Sequence, residues 1–405
     1  MPTQDMLLTW EQLSEIAQKH TSARRVRRPG KSPSTAPIPS SLHKLPPDTD
    51  PLVLLYRDSH SWCPFCERVW FALEEKEIPF ATEFIDLRNK PQWYTDLVPM
   101  GLVPTAKIEG EVVYESKSIL FALEAKFGET LLPKDAAEKE VARQWIEADE
   151  TNGFREIAYK FLLGDPTDTN KLALQQMELE TKLDELEQML GKYPGAYFLS
   201  TFSLVDIMYS PHLDRIAVNL PVYRDYAIQG NPRFPNLNAW FEALRQRPAY
   251  HRVRSDAVTN NLLLHRIFGV EPMGNPAPLD PDDSEAIEYR AEAAERLSDN
   301  REAAIADILK NSGVQALATL DDLSAVTEAI EWHLRLLAQY LIHKNEIRLP
   351  WGRIGGRDQT NPTVAAVGAI ALTYIRNRIC APRDMSAGAA TAFRAATDEV
   401  LPLLY

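Results

Sequence analysis

Two of the chain's three cysteines stand three residues apart, in Ser61-Trp62-Cys63-Pro64-Phe65-Cys66. The stretch lies where an apolar run, residues 52–56, hands over to apolar residues at helical spacing, Val69, Trp70, Ala72 and Leu73. Pro64 suits a helix start, because its missing N–H would be unpaired there anyway. A cysteine at such a boundary faces free backbone N–H groups and the positive end of the helix dipole, and both favour thiolate over thiol. That placement draws a thiol pKa from about 8.5 down to somewhere between roughly 3.5 and 7.5. Cys63 is therefore a candidate nucleophile at neutral pH without a dedicated base, and Arg68 could add favourable charge. Cys66, one helical turn on, has two readings: a resolving thiol that attacks a mixed disulfide on Cys63, or a small buried residue packing the helix against a sheet. A zinc site would need two further ligands at matched spacing. The third cysteine, Cys380, is remote in sequence, and no partner pair stands out among the eight histidines, so no metal is expected.

The elements around this motif follow from pattern. Residues 52–56 suit a strand buried on both faces, and 64–76 a helix. Residues 81–86 predict a second strand and 92–97 a short helix or turn. Residues 105–108 and 111–113 flank Glu109-Gly110 as a hairpin. A helix over 118–127 ends at Gly128. Strand, helix, strand, helix, hairpin, helix is the thioredoxin-like α/β plan, a small mixed sheet with helices on both sides.

Beyond Pro133 the strand signals fade, and amphipathic stretches at about 136–159, 172–190, 204–216, 237–246 and 255–267 predict an all-helical domain. A Pro- and Asp-rich passage, 271–283, breaks the pattern. Helices return at about 284–311, 321–343, 363–380 and 386–401. The expected organisation is an N-terminal helix and basic Pro/Ser-rich linker (1–50), a thioredoxin-like domain (51–133), an all-helical domain (134–270) and an accessory helical domain (284–405). The spacing of Leu8, Leu13 and Ile16 predicts the short opening helix.

Composition limits the function classes. A length of 405 residues suits two or three domains. A net charge of -13 argues against general nucleic-acid binding. The basic cluster Arg24, Arg25, Arg27, Arg28 and Lys31 reads as a solvated linker or as a docking site for an anionic partner. No apolar run approaches the ~20 residues of a membrane span. The first twenty residues carry Asp5, Glu11 and Glu15 and lack the form of a secretory signal. Three cysteines exclude a disulfide framework and fit a reducing, cytoplasmic setting.

Three motifs occur in order on these elements: WCPFCERVWFALEEKEIPF (62–80), NKPQWYTDLVPMGLVPTAKIEG (89–110) and YESKSI (114–119). Together they resemble the N-terminal domain of cysteine-type glutathione transferases, with the omega and lambda classes and the dehydroascorbate reductases as the nearest likenesses. The resemblance implies that Cys63 forms a mixed disulfide with glutathione and that Lys90 pairs with a glutathione carboxylate. It implies a cis Val103-Pro104 bond that lets the Val103 backbone pair with the cysteinyl part, and a Glu115-Ser116 pair that holds the γ-glutamyl end. On residues alone, Lys90 is a solvated surface charge and Glu115-Ser116 a helix-capping signal. Phe65 either walls the pocket or belongs to the core. Cys66 departs from the family, where Ala or Ser is common, and resembles glutaredoxins instead. Ser203-Leu204-Val205-Asp206 resembles the capping box of the family's helical domain, flanked by Phe202 and Ile207 at hydrophobic-staple positions.

The expected activity is glutathione-dependent thiol transfer or reduction: deglutathionylation, dehydroascorbate reduction, or removal of glutathione from small organic molecules. The substrate is expected beside Cys63, with Trp145, Phe154 and Tyr159 as lining or core residues. Homodimerisation is common in the family. The alternative is a binding or scaffolding protein on the same fold. No chemistry is expected of the tail, where Cys380 reads as a structural thiol, Arg376 and Arg378 flank an apolar helix face, and Trp351-Gly352-Arg353 sits in a loop.

Overall fold

The computed structural model describes residues 7–21, 51–60, 62–148, 151–317, 323–344 and 362–404. The basic cluster at 24–31 and the loop at 351–353 lie outside the described residues. The described chain forms two compact units: residues 51–277, and a helical unit in which residues 7–21 join the chain from Pro278 onward.

Helix α1 (Trp10–His20) opens the chain and belongs to the helical unit. The other unit begins with β1 (Val53–Asp58), α2 (Pro64–Glu75), β2 (Phe80–Ile85), α3 (Gln92–Leu97), β3 (Thr105–Ile108), β4 (Glu111–Tyr114) and α4 (Ser116–Phe127). The strands form one four-stranded sheet in the order β2-β1-β3-β4. β1 and β2 run parallel, with Asp58 opposite Ile85. β3 runs antiparallel to β1, with Thr105 opposite Tyr56, and β4 antiparallel to β3, with Tyr114 opposite Thr105. This is the expected thioredoxin-like plan, and its register gathers four chain passages at one end of the sheet. They are the exits of β1, β2 and β4 and the entry to β3. The motif cysteines follow β1, Lys90 follows β2, Val103-Pro104 precedes β3, and Glu115-Ser116 follow β4. The sequence candidates thus share one edge although they span more than fifty positions.

Helices α5 (Ala136–Ala148), α6 (Thr151–Leu162), α7 (Thr169–Leu190), α8 (Leu204–Arg224), α9 (Pro235–Arg245), α10 (Pro248–Val253) and α11 (Ala257–Phe268) complete this unit. The single helix expected over 136–159 is two, α5 and α6, and α8 runs to Arg224 with Pro211 and Pro221 inside it. α2 is buried from Cys66 to Glu74, charged residues included. Burying charge is costly unless it is paired, and the helical half supplies the partners. Arg252 Nε lies 2.6 Å from Glu74 Oε2, and Arg247 forks onto Glu75 at 2.8 and 2.6 Å. The Arg68 Nε donates to the Met208 carbonyl at 3.2 Å. These bonds tie the helix that carries the sulfur motif to α8 and α10.

The expected capping box at the start of α8 is present. The Ser203 side chain accepts from the Val205 N–H, and the Ser203 N–H donates to Asp206 Oδ2 at 2.9 Å. Asp206 Oδ1 also accepts from Trp240 Nε1 at 2.9 Å and from the Phe198 N–H at 3.2 Å. Burial lifts this carboxyl from 3.8 to about 6, against the pull of the N–H donors. The stability tied to its retained proton is therefore complete below about pH 4 and lost as pH rises through about 6. We expect Asp206→Ala to cost roughly 2–4 kcal/mol in urea unfolding, because several buried N–H donors lose their acceptor. Asp206→Asn, which keeps an acceptor oxygen, should cost clearly less.

The helical unit consists of α1 with α12 (Pro281–Glu285), α13 (Ile287–Asp299), α14 (Arg301–Asn311), α15 (Leu323–His343), α16 (Pro362–Arg378) and α17 (Ala387–Val400). Its core joins Trp10, Leu13 and Ala17 of α1 to Ala294, Ile330, Leu334 and Phe393. The Leu8 N–H donates to Gln339 Oε1 at 2.8 Å, fixing the entry to α1. Helices approach closely at Gly388, where an added Cβ would collide with the Tyr289 ring. The helix expected over 284–311 is three, interrupted at Ala286 and Asn300. Among the described residues, no helix is long and apolar enough to cross a membrane.

Candidate active site

Cys63 is the N-cap of α2 and is half-buried, while Cys66 is 2% exposed inside the first turn. The Glu67 N–H donates to the Cys63 carbonyl at 3.1 Å and closes that turn. The Cys66 thiol donates to Cys63, and the backbone N–H groups of Cys66 and Phe65 also point to it. These donors pull the Cys63 thiol below its ordinary range, against burial and the nearby Asp58 charge. Burial first, then its bond to Cys63, pushes the Cys66 thiol well above its ordinary range. One cysteine of the pair is thus poised to ionise and the other held as a donor.

Asp58, at the exit of β1, was not singled out from sequence. It is buried, and its Oδ2 accepts from the Trp62 N–H at 2.8 Å. Its carboxylate and the two sulfurs lie within 4.8 Å of one another. This trio is the candidate metal-ligating group nearest the motif among the described residues. Three donors fall short of the four a closed zinc site uses.

Arg215 of α8 was also missed. It is 2% exposed, and its guanidinium donates to the Trp62 carbonyl through Nε at 3.1 Å and Nη2 at 2.8 Å. Nη2 also meets Glu67 Oε2 at 2.8 Å, and Nη1 the Pro211 carbonyl at 2.7 Å. The residue before Cys63 and the residue four after it are therefore held by one buried cation. Burial pushes the Glu67 carboxyl up, and Arg215 opposes that push.

Phe65 is half-buried and sits among cations. The Arg68 and Arg155 guanidinium carbons lie 5.0 and 5.5 Å from its ring centre, and the His212 ring meets it edge-on at 5.6 Å. Phe65 thus lies between its own helix α2 and residues of α6 and α8. His212 is buried, and burial, then the charges of Arg68, Arg215 and Arg155, keep it neutral. Arg68 donates to the Met208 carbonyl and lies over the Phe65 ring.

Elsewhere on this edge of the sheet, Lys90 is exposed, its side chain laid across Gly101. A Cβ on that glycine, whose φ is +60°, would fall 3.3 Å from both Cδ and Nζ. The Val103-Pro104 bond is cis, as the resemblance implied. The Tyr94 hydroxyl donates to the Leu102 carbonyl at 2.6 Å and so steadies the approach to that bond. Glu115 is exposed at a φ of 64°, a region sparsely used by residues other than glycine and often found at functional sites. Ser116, buried, begins α4. Of the three aromatic candidates, Phe154 is core. The Tyr159 ring lies 6.1 Å from Phe268 and tilted to it, and Phe268 lies 6.0 Å from Trp62, so these rings flank the sulfur motif. Trp145 is half-buried on α5.

Residues 62–126 match the family described as "Glutathione S-transferase, N-terminal domain", and residues 138–243 the "Glutathione S-transferase, C-terminal domain". Protein IN2-1 of Zea mays is 32% identical over 229 residues, covering 55% of this chain and 88% of that protein. The chain belongs to the glutathione S-transferase family. Glutathione S-transferase L1 of Arabidopsis thaliana is 32% identical, covering 48% of this chain and 79% of that protein. Glutathione S-transferase DHAR2 of the same plant is 28% identical, covering 48% and 84% respectively. Both family matches fall within residues 51–277 and leave the helical unit unmatched by either domain.

Proposed function

We propose that this transferase is a glutathione-dependent thiol transferase and reductase in which Cys63 is the nucleophile and glutathione the co-substrate. The observation that carries the reading is the pairing of a half-buried N-cap sulfur, drawn toward thiolate, with a buried neighbour that donates to it. The Cys63 thiolate attacks the glutathionyl sulfur of a mixed disulfide. A sulfur–sulfur bond forms to Cys63 while the old one breaks, and the departing thiolate takes a proton from solvent. The thiolate of a second glutathione then attacks the Cys63 adduct, releasing oxidised glutathione and restoring Cys63. The substrate sulfur leaves as a thiol, and one free glutathione is consumed per cycle, joined in the oxidised product to the glutathionyl group taken from the substrate.

Lys90 pairs with a glutathione carboxylate, the Val103 backbone with its cysteinyl part, and Glu115 and Ser116 with its γ-glutamyl end. Their common position at the sheet edge beside Cys63 supports these roles, as does the strained Glu115. Pro104 sets the turn that presents Val103.

Glutathione, not Cys66, resolves the adduct in this reading, because a buried thiol held protonated is a poor nucleophile. Cys66 instead lowers the pKa of Cys63. Cys66→Ala is therefore expected to keep glutathione-dependent turnover while moving its acid limb upward by roughly 0.5 to 1 in pH. A pH profile of disulfide exchange measures this; complete loss of turnover in Cys66→Ala would instead assign Cys66 the resolving step.

A further inference from the structure

Helix α6 brings two polar side chains, Arg155 and Tyr159, to the surroundings of the sulfur motif. We propose that they bind the carboxylate of the substrate, so that the preferred mixed disulfide joins glutathione to a small organic thiol acid. The inference rests on the assignment of Cys63 as nucleophile and adds to it the class of the group that leaves.

The placement follows from named contacts. Arg155 and Tyr159 stand four residues apart and so share one face of their helix. The Arg155 guanidinium carbon lies 5.5 Å from the centre of the Phe65 ring, and the Tyr159 ring is linked to Trp62 through Phe268. Trp62 and Phe65 bracket Cys63-Pro64 in the chain, so this face of α6 is anchored on both flanks of the nucleophile. Trp62, Phe65 and Tyr159 are half-buried and Phe268 is 43% exposed, which leaves aromatic surface for the body of a ligand.

The chemistry of the ligand follows from what these groups lack. Among the described residues the ion-pair partner of Arg155 is Glu156, at 3.9 Å, whose side chain is 75% exposed. A solvated pair at that distance holds a guanidinium weakly. The Tyr159 hydroxyl has no hydrogen-bond partner among the described residues, and burial pushes its pKa up, so it stays a donor. Trp62 Nε1 and the ring nitrogens of neutral His212 are buried without partners as well. The nearby carboxylates do not fill the need, because Glu67 is bonded to Arg215 and Asp58 accepts from the Trp62 N–H. The neighbourhood is thus rich in donors and short of acceptors. A carboxylate only accepts, and it matches the guanidinium fork with two parallel charge-assisted bonds. A cationic substrate would be repelled. During exchange the glutathionyl sulfur passes to Cys63 and the acid's thiolate departs, taking a proton from solvent. Arg155 makes and breaks no bond; it binds.

The test uses full-length protein and three mixed disulfides of glutathione, with 3-mercaptopropionate, 2-mercaptoethanol or cysteamine as the second thiol. We expect kcat/KM to fall in that order, the acid standing roughly tenfold or more above the neutral thiol. The chain's net charge of -13 by itself favours the amine, so this order requires a local site. Arg155→Met should bring the acid-to-neutral ratio near one, and Arg155→Glu should place cysteamine above the acid. Lys171→Glu, exposed at the start of α7, makes the same charge change as Arg155→Glu and should leave the ratio as it is. A wild-type ratio near one, a ratio unmoved in Arg155→Met, or an equal fall in Lys171→Glu would each overturn the proposal. A raised KM for glutathione in Arg155→Met, in place of the fallen ratio, would overturn it by assigning Arg155 to glutathione. Failure of the Cys63 assignment reads differently: turnover of the neutral disulfide would survive Cys63→Ser. Calorimetric binding of the three disulfides to Cys63→Ser then decides Arg155 without chemistry, the acid binding tighter than the neutral compound only while Arg155 is present.

Discussion

Cys63→Ser is expected to lower glutathione-dependent disulfide exchange on the order of a thousandfold or more, to near the uncatalysed level. A serine hydroxyl at the same N-cap still faces the Cys66 thiol and the N–H groups of Phe65 and Cys66. Those donors favour the anion of a thiol over its neutral form, but an alcohol begins so much less acidic that the same pull leaves it protonated. It also cannot form the sulfur–sulfur bond on which the cycle rests. Folding should be unaffected, because the Cys63 carbonyl, which closes the turn, remains and the serine hydroxyl can accept from the same N–H groups. Turnover with glutathione and a model mixed disulfide, compared at matched protein concentration, measures the effect. Retention of most of the activity would remove Cys63 from the mechanism.

The largest stability effect should come from Arg215→Met, expected to cost about 3–5 kcal/mol in denaturant unfolding. The variant strands the buried Glu67 carboxylate and leaves the Trp62 and Pro211 carbonyls without the guanidinium. Much of the loss is the penalty of an unpaired buried charge, which makes a second expectation available. The double variant Arg215→Met/Glu67→Met should recover a large part of the stability, since apolar replacement of a buried ion pair is often nearly neutral. Its reactivity should not recover to the same degree, because the carbonyl just before Cys63 stays unanchored. Recovery of both together would mean that Arg215 serves folding alone; recovery of stability alone assigns it the positioning of the sulfur loop.

What could be read from the sequence, and what could not, divides along range of interaction. The sulfur motif, the hairpin at Glu109-Gly110, the Val103-Pro104 turn and the Ser203–Asp206 cap are local signals, encoded within a few residues, and the fold they imply is the fold observed. Asp58 escaped notice because a lone acid after a strand has no periodicity to mark it. Arg215 escaped because its partner Glu67 lies 148 positions away, and an arginine within a helix reads as a solvated charge until its neighbours are known. The surroundings of Phe65 are illegible for the same reason, since residues that flank it come from α6 and α8. The union of α1 with the C-terminal helices has no local trace either: the Leu8 bond to Gln339 spans 331 positions.

The most direct measurement is the pH dependence of Cys63 alkylation by iodoacetamide in the folded protein, read from the mass of its peptide. Cys66 and Cys380 are buried and should react slowly enough to serve as internal references. A sulfur held by the N–H groups at the start of α2 and by the Cys66 thiol should show a midpoint clearly below the value of about 8.5 for a free cysteine. A midpoint at or above that value, or a rate no faster than those of the two buried thiols, would contradict a thiolate nucleophile at Cys63.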